Sequence, residues 1–281
     1  MLEIGKLRLD LLRDGSFRLD GGAMFGVVPR PLWERKKPPD DRNRVNLALN
    51  CLLVRGPERT VLIDTGIGDK WNDKLRDIYA IDRSPGIEAE LQRVGVAAED
   101  IDLVVLSHLH FDHAGGNTRL RADGAYEPAF PRARYVVQKG HLLEEALVSS
   151  ELRRASHLPE NFVPIKELDR FDLVEGDCEV APGISTVLTG GHQKFHQAVR
   201  IEGGGKTVLF PADLVPTAAH LPPPYIMAYD HFPLDTLAMK KRLLSLAAAN
   251  DWILVLEHED QNPVGCVVRD GKSYSWEPVA H

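Results

Sequence analysis

The chain has 281 residues, of which 43% are hydrophobic and 27% are charged, and its formal net charge is -7. This length allows a substantial buried core, and we predict one domain that covers residues 1–281. The acidic balance argues against a non-specific nucleic-acid binder, because phosphate binding usually shows as a basic patch.

Further composition features bear on the compartment. No run of about 18 apolar residues occurs, so we predict no contact with a membrane. Residues 1–15 lack an apolar segment behind a basic one, so we expect no signal peptide. Cys51, Cys178 and Cys266 are widely spaced. This spacing favours reduced thiols in a cytoplasmic protein over a disulfide framework.

Strand patterns dominate the N-terminal region. Residues 3–13 alternate apolar and polar and indicate a strand, and a turn with a short strand follows at 15–22. The proline-rich, charged stretch 29–44 is typical of an exposed loop. Two apolar runs at 47–54 and 60–63 flank a turn and predict a hairpin.

Helical signals then alternate with short apolar runs. Ser84 is predicted to cap a helix that begins at Pro85. The apolar run 102–106 predicts a strand buried on both faces. A strand at 134–137 and a helix at 141–148 are expected next.

The C-terminal half repeats this alternation. Residues 149–164 are irregular and indicate a lid or insertion, and the proline-rich stretch 216–234 indicates a long ordered loop. Asp235 is predicted to cap a helix that reaches residue 249. Strands are predicted at 184–188, 198–201, 207–210, 252–257, 264–268 and 272–276. Two groups of strands, each followed by helices, predict two sheets packed face to face with helices outside.

Four candidate metal ligands follow the predicted strand 102–106 within six residues: His108, His110, Asp112 and His113. In an extended segment, side chains two residues apart point the same way, so the first two can bind one ion. Once the chain turns after Phe111, the other two can face a neighbouring ion. Gly115 and Gly116 let the backbone bend tightly and pass close to the site.

Imidazole and carboxylate ligands together suit Zn²⁺, and also Fe or Mn. Two such ions about 3.5–4 Å apart form a hydrolytic pair that activates water and polarises a carbonyl or phosphoryl group. A lone histidine is usually a hydrogen-bonded core or surface residue, but that interpretation does not account for three histidines and an aspartate at HxHxDH spacing.

The segment HLHFDH resembles the HxHxDH signature of the metallo-β-lactamase superfamily. That family adds a His, an Asp and a His at later strand ends, and this chain offers His192, Asp213 and His258. The resemblance spans about residues 45–260. It implies an α/β fold, a four-layer αββα sandwich of two mixed sheets flanked by helices, with the metal site at one edge between the sheets.

The resemblance also assigns the ligands. His108, His110 and His192 would hold one metal, Asp112, His113 and His258 would hold the other, and Asp213 would bridge them. Asp64, in the sequence Asp-Thr-Gly, matches a family position that orients a ligand histidine by a hydrogen bond. A turn-forming aspartate before glycine is the alternative interpretation of Asp64.

Within the superfamily, the sequence looks most like the acyl-homoserine lactonases and their organophosphate-hydrolysing relatives. Those lactonases place a Tyr three residues after the bridging Asp, where it contacts the substrate carbonyl, but this chain has Pro216 there. Three residues of the following loop are therefore candidate substrate contacts: Tyr225, Tyr229 and His220.

The implied activity is hydrolysis of a small-molecule lactone or ester, with a phosphotriester as a further substrate class. A metal-bridging hydroxide would attack the carbonyl, and Asp112 or Asp213 would pass a proton to the leaving group. The alternatives are a glyoxalase-II-like thioesterase, a mono-iron persulfide-type dioxygenase and a degenerate binding protein. The regions 141–148 and 216–234 are candidate surfaces for a homodimer.

Overall fold

The computed structural model describes residues 2–148, 150–151, 153–271 and 273–280. In chain order, the strands within these residues are β1 (Leu2–Ile4), β2 (Leu7–Asp20), β3 (Arg44–Arg55), β4 (Thr60–Ile63), β5 (Leu103–Val105), β6 (Thr118–Leu120), β7 (Tyr126–Pro128), β8 (Arg134–Gln138), β9 (Phe171–Val174), β10 (Cys178–Ala181), β11 (Ile184–Leu188), β12 (Gln197–Gly203), β13 (Lys206–Phe210), β14 (Ile253–Val255), β15 (Val264–Asp270) and β16 (Ser273–Pro278). The α-helices are α1 (Gly21–Phe25), α2 (Arg30–Trp33), α3 (Asp73–Tyr79), α4 (Ile87–Arg93), α5 (Phe111–Ala114), α6 (Val163–Glu167) and α7 (Pro233–Ala249).

The strands form two large mixed sheets. The first has the order β1-β2-β3-β4-β5-β8-β9, and the second has the order β10-β11-β12-β13-β14-β15-β16. Strands β6 and β7 form a separate hairpin. In the first sheet, β5 runs parallel to both neighbours, and in the second β13 runs parallel to β14.

The core lies in three layers. Between the sheets, Val105 of the first sheet packs in one cluster with Val199 and Val208 of the second. On the outer faces, helix α4 packs against the first sheet through Leu91, and helix α7 packs against the second through Leu244. Each fully buried aliphatic side chain contributes about 1.5–3 kcal/mol to stability. The predicted order of helix, sheet, sheet and helix is confirmed.

Several element boundaries differ from the prediction. The predicted strands 3–13 and 15–22 are replaced by β1 and the long strand β2, and the pairing register of β2 shifts between Arg13 and Gly15. The helix predicted to begin at Pro85 begins at Ile87 instead, with Gly86 at its N-cap position. The backbone of Gly86 has φ +84°, which a helical start at Pro85 would not allow.

Other differences lie in the loops. The region predicted as an exposed loop contains helix α2, whose Trp33 is buried. Residues 141–146 form a π-helix rather than an α-helix. Helix α7 begins at Pro233, so Asp235 lies in its first turn rather than at its cap. The predicted strand start at residue 272 lies outside the described residues. No helix in the described part of the chain has the length and apolar character needed to cross a membrane.

Candidate metal centre and substrate cavity

The HLHFDH segment begins where strand β5 ends. Because β5 is buried and is paired on both sides by parallel strands, its carboxyl end lies at the sheet edge. His110 has an extended backbone, with φ -67° and ψ 156°. The chain then turns into helix α5, which carries Asp112 and His113. The turn therefore separates the first pair of candidate ligands from the second, as the sequence predicts.

The other three candidate ligands also follow strands. His192 lies in the connection between β11 and β12, Asp213 lies in a short 3₁₀ turn after β13, and His258 follows β14. Asp213 Oδ2 lies 3.1 Å from His192 Nε2. Its Oδ1 lies 3.2 Å from His258 Nε2. Both sheets thus deliver side chains to one edge of the sandwich.

The seven predicted ligands fall into two groups, and within each group the ligand atoms lie within 4.8 Å of one another; a third such group joins His113 to Asp64 and Glu257. One group contains His108, His110, His192 and Asp213, and the other contains Asp112, His113 and His258. Asp213 Oδ2 also lies 3.4 Å from His113 Nε2, so Asp213 contacts both groups. The structure brings all seven predicted ligands together.

The buried polar atoms of this cluster fit a bound cation. His108 Nε2 and His113 Nε2 are buried and have no hydrogen-bond partner among the described residues. Both side chains are 0% exposed. Buried polar atoms are rarely left unpaired, because desolvation without a partner is costly. A divalent cation between the rings would satisfy these nitrogens, and imidazole with carboxylate suits Zn²⁺, Fe or Mn.

Electrostatics differ across the metal-free cluster. Burial lowers the pKa values of His113, His192 and His258, but nearby carboxylates outweigh burial and raise them. Two other residues are held in their metal-binding protonation states. Burial, and then the neighbouring imidazoles, hold the pKa of His108 well below its ordinary value. Its ring is therefore neutral, which is the form that binds metal. Burial alone would raise the pKa of Asp213, but His192 and His113 outweigh burial and lower it. Asp213 is therefore an ionised carboxylate.

In three of the candidate ligand histidines, the Nδ1 atom of the ring is hydrogen-bonded to a neighbouring group that fixes the orientation of the ring. His192 Nδ1 donates to Asp230 Oδ1 at 2.8 Å, and His258 Nδ1 donates to the carbonyl oxygen of Ala48 at 2.8 Å. Such hydrogen bonds fix the tautomer and orientation of a ligand ring.

The third histidine is His113, whose Nδ1 atom lies close to both Asp64 and Glu257. Asp64 Oδ2 lies 3.1 Å from His113 Nδ1, and Glu257 Oε2 lies 2.9 Å from the same nitrogen. Asp64 itself is held by Ser107, whose backbone N–H and hydroxyl donate to it at 2.7 and 2.6 Å. The structure therefore places Asp64 against a ligand histidine rather than only in a turn.

Sequence reasoning missed Asp230 and Glu257. Asp230 lies 38 positions from its partner His192, within the proline-rich loop, and no local pattern marks it. Glu257 is fully buried and directly precedes His258. A charged residue at the end of a predicted buried strand, next to a candidate ligand, is the signal that could have identified it.

The backbone beneath the metal centre is packed too tightly for side chains. A Cβ atom on Gly116 would lie 2.2 Å from the carbonyl oxygen of Thr65. A Cβ on Gly68 would lie 2.3 Å from the carbonyl oxygen of Gly115, and Gly68 has φ +65°. The glycines therefore allow the Asp64 loop to lie directly against the loop that carries the histidines.

A cavity of about 530 Å³ opens onto the metal centre. Its base includes His110, Asp112, His192, Asp213 and His258. Its walls are largely apolar and include Leu19, Met24, Leu47, Phe111 and Met227. The hydroxyl-bearing residues Tyr79, Ser156 and Tyr229 also line it. Apolar walls around a few polar groups are typical of a small-molecule site.

Of the three predicted substrate contacts, Tyr229 alone lines this cavity. His220 is 1% exposed, and its ring stacks on Phe25 at 4.5 Å between centroids. Its two ring nitrogens are hydrogen-bonded to Thr217 Oγ1 and to the carbonyl oxygen of Met24, each at 2.8 Å. Tyr225 packs edge-on against Phe25 instead of facing the cavity. The interpretation of His220 and Tyr225 as substrate contacts is therefore corrected to core packing.

Comparison with known proteins identifies the superfamily to which the chain belongs. Residues 46–258 match the family model described as the metallo-beta-lactamase superfamily, and the chain belongs to this superfamily. Over 170 residues it is 31% identical to an N-acyl homoserine lactonase of Bacillus cereus. That match covers 57% of this chain and 60% of the lactonase, so the chain matches less than two thirds of that relative's length.

Two solved structures resemble the whole fold. A probable metal-dependent hydrolase from Staphylococcus aureus has a TM-score of 0.90 and 28% identity, with 100% of both chains covered. An N-acyl homoserine lactone hydrolase with the product N-hexanoyl-L-homoserine at its catalytic metal centre has a TM-score of 0.67 and 25% identity, with 92% of this chain and 94% of that chain covered. The metallo-β-lactamase fold implied by the sequence is confirmed.

Proposed function

We propose that this protein is a binuclear metal-dependent hydrolase of small-molecule lactones or esters. The observation that carries the proposal is the convergence of seven candidate metal-ligand side chains in one buried cluster, five of which line a largely apolar cavity. The similarity to proteins named N-acyl homoserine lactonase supports a lactone as the substrate class.

In this proposal each of the two ligand groups would hold one divalent ion, and Asp213, which contacts both groups, would serve both sites. Zinc suits the donor set best, with iron or manganese as alternatives. When bound, the ions supply an activated water molecule and polarise the carbonyl group of the substrate. The orienting contacts of Asp64, Asp230 and the Ala48 carbonyl keep the histidine rings in place for binding.

The protein's own residues have two further tasks. Asp112 is 7% exposed and lines the cavity, so its carboxylate can accept the proton that the attacking water loses and pass it to the leaving alkoxide. Asp213 is 6% exposed and is the second candidate for this transfer. The apolar walls exclude water around the substrate and bind its hydrocarbon part.

The proposal extends to the domain organisation, location and oligomeric state of the protein. A single domain over residues 1–281 is supported by the interlayer core, to which strands of both halves of the chain contribute. A cytoplasmic location and a homodimer stay predictions. A phosphotriester is a second substrate class, because the same ligand arrangement suits a phosphoryl centre.

The test is a substrate panel on the purified full chain loaded with zinc. The panel contains N-hexanoyl-homoserine lactone, 4-nitrophenyl acetate, a phosphotriester and S-lactoylglutathione. Oxygen uptake on glutathione persulfide is measured separately on the iron-loaded chain, because zinc is redox-inactive. We expect the highest kcat/KM on the lactone or the ester. Fastest turnover of the thioester, or oxygen uptake without any hydrolysis, would replace the proposal with one of the two alternatives.

A further inference from the structure

Tyr79 occupies a position at the cavity that the sequence does not mark. It is the last residue of helix α3 and lines the same cavity as Asp112. Its ring packs between two aromatic neighbours, with centroid distances of 5.4 Å to Phe111 and 5.9 Å to Trp71. Among the described residues, its hydroxyl group has no hydrogen-bond partner. An immobilised ring with a free hydroxyl at a reaction cavity is a candidate hydrogen-bond donor.

The backbone that carries Tyr79 is held from outside the helix. Arg44 of strand β3 donates to the carbonyl oxygens of Asp77 and Ile78 at 2.9 and 2.8 Å. Arg76 donates to the carbonyl oxygen of Trp71 at 3.1 Å. The Arg44 contacts bind the carboxyl end of the helix to the first sheet. Such external support matters because a seven-residue helix has little stability of its own.

The chain also leaves the helix sharply after Tyr79. Ala80 has φ +45°, a left-handed conformation that few non-glycine residues adopt. The backbone N–H of Ala80 caps the helix by donating to the carbonyl oxygens of Arg76 and Asp77. The position of the Tyr79 ring is thus fixed before any substrate binds, which is the condition for electrostatic preorganisation.

Tyr79 remains a donor over the pH range in which a hydrolase works. Burial, and then the nearby carboxylate of Asp112, raise the pKa of the Tyr79 hydroxyl above its ordinary value. A protonated phenol in a partly buried cavity can donate to an oxygen that gains negative charge.

Tyr229 differs from Tyr79 in its surroundings. It is 36% exposed and lies in the loop before α7, and none of the ring contacts among the described residues involves it. It lines the same cavity without comparable aromatic packing around its ring. Such a residue contributes to substrate binding more than to a fixed transition-state contact.

We infer that Tyr79 is a further catalytic residue, whose hydroxyl donates a hydrogen bond to the carbonyl oxygen of a lactone or ester as that oxygen becomes negatively charged. No covalent bond to Tyr79 forms, and its proton stays on the phenol. This inference rests on the proposed function.

The test compares three Tyr→Phe variants of the full chain loaded with zinc. Tyr79→Phe should lower kcat about 10- to 100-fold with little change in KM, since removal of one oxyanion donor costs up to about 10²–10³ in kcat. Tyr229→Phe should raise KM about 3-fold or more and leave kcat within about 2-fold, since a binding contact that is equal in ground and transition state acts on KM. Tyr126→Phe is the matched control, because Tyr126 is exposed on strand β7, outside the cavity.

Varying the leaving group of the ester shows whether Tyr79 donates to the carbonyl oxygen or to the leaving-group oxygen. Phenyl acetate and 4-nitrophenyl acetate differ in leaving-group basicity but share the carbonyl, so an equal loss on both with Tyr79→Phe supports the inference. A loss on phenyl acetate alone, a loss below about 3-fold, or an effect confined to KM overturns it. Zinc content and melting temperature of Tyr79→Phe should match those of the wild type. If the wild-type protein has no hydrolytic activity, the proposed function itself is wrong. If the wild type is active and Tyr79→Phe has the same kcat, only the inference about Tyr79 is wrong.

Discussion

The metal centre and the wall of the cavity are built in different ways. The metal centre, here meaning the seven ligands and the glycine backbone beneath them, consists of side chains at most 8% exposed that follow the ends of paired strands. The cavity wall combines apolar side chains of β2, α1 and β3 with helix α3 and with the loops around Ser156 and Tyr229. The centre thus depends on spacing along strands, whereas the wall depends on contacts between distant segments.

This difference has a functional meaning. Side chains at strand ends are held rigidly because the two sheets fix their backbone, and a metal site needs that rigidity to hold its geometry. Loops vary without disturbing the sheets, so the wall is where substrate preference is set. Substitutions in the centre should therefore affect metal binding and stability, whereas substitutions in the wall should affect turnover and substrate choice.

The largest effect is expected for Asp213→Ala. Asp213 contacts both ligand groups, so its loss should disturb both ions and lower kcat/KM by about 10³-fold or more, since metal catalysis contributes several kcal/mol. Asp123→Ala, at an exposed aspartate, is the control. Steady-state kinetics on the preferred ester checks this. Retention of more than about a tenth of wild-type activity would show that Asp213 is not shared by the two ions.

Gly68→Ala tests the packing beneath the centre. The new Cβ would lie 2.3 Å from the carbonyl oxygen of Gly115, so we expect a loss of about 3 kcal/mol in the free energy of unfolding. The control is Gly95→Ala, which has a similar φ of +71° but no atom within 4 Å and should lose about 1 kcal/mol. Denaturant unfolding after chelator treatment measures both. Equal losses would mean that backbone strain alone matters, and not the close approach.

Asp230→Ala tests a wall residue that supports a candidate ligand histidine. It removes the acceptor for His192 Nδ1, and metal affinity should fall about 10- to 100-fold. Asp230→Asn keeps an acceptor oxygen and should lie between the wild type and Asp230→Ala. Competition with a chromogenic chelator measures the affinity. If Asp230→Ala binds zinc as tightly as the wild type, the centre does not depend on the wall.

A smaller effect should appear in the pH dependence of stability. Lys240 of helix α7 is 1% exposed and donates to the carbonyl oxygen of Tyr225 at 2.7 Å, which ties the wall loop to the helix. Burial lowers the pKa of Lys240 to about 7 from its ordinary 10.5, against an opposing effect of Asp230. Between these values the unfolded chain binds a proton that the native protein does not, so stability rises with pH.

The expected contribution is at most about 1.4 kcal/mol per pH unit in that window. Denaturant unfolding at pH 7 to 10 should show the slope in the wild type and a smaller one in Lys240→Met. Identical slopes in the two proteins would contradict a largely neutral Lys240 in the folded state.

The same comparison explains which parts of the structure could be predicted. His108 to His113 lie within six residues, and their spacing alone places two side chains before a turn and two after it. His192, Asp213 and His258 could be found because each follows a strand with a clear apolar run. Local pattern is sufficient where a strand end positions a side chain.

The cavity wall could not be predicted in this way. Helix α3 has only seven residues, none of them buried, and it is held in place by Arg44 of strand β3. A local pattern this short did not identify Tyr79 as a cavity residue. His220 and Tyr225 were assigned to the cavity by their loop, but Phe25 packs against both rings in the core. These placements depend on tertiary contacts that the local sequence does not encode.

The central claim, that seven side chains hold two divalent ions, is tested most directly by the metal content of the full chain purified without added metal. Elemental analysis should find about two divalent ions per chain, and Asp213→Ala should retain fewer. One iron per chain in the wild type, with no hydrolysis of lactone or ester, would contradict the binuclear hydrolase and favour the mono-iron alternative.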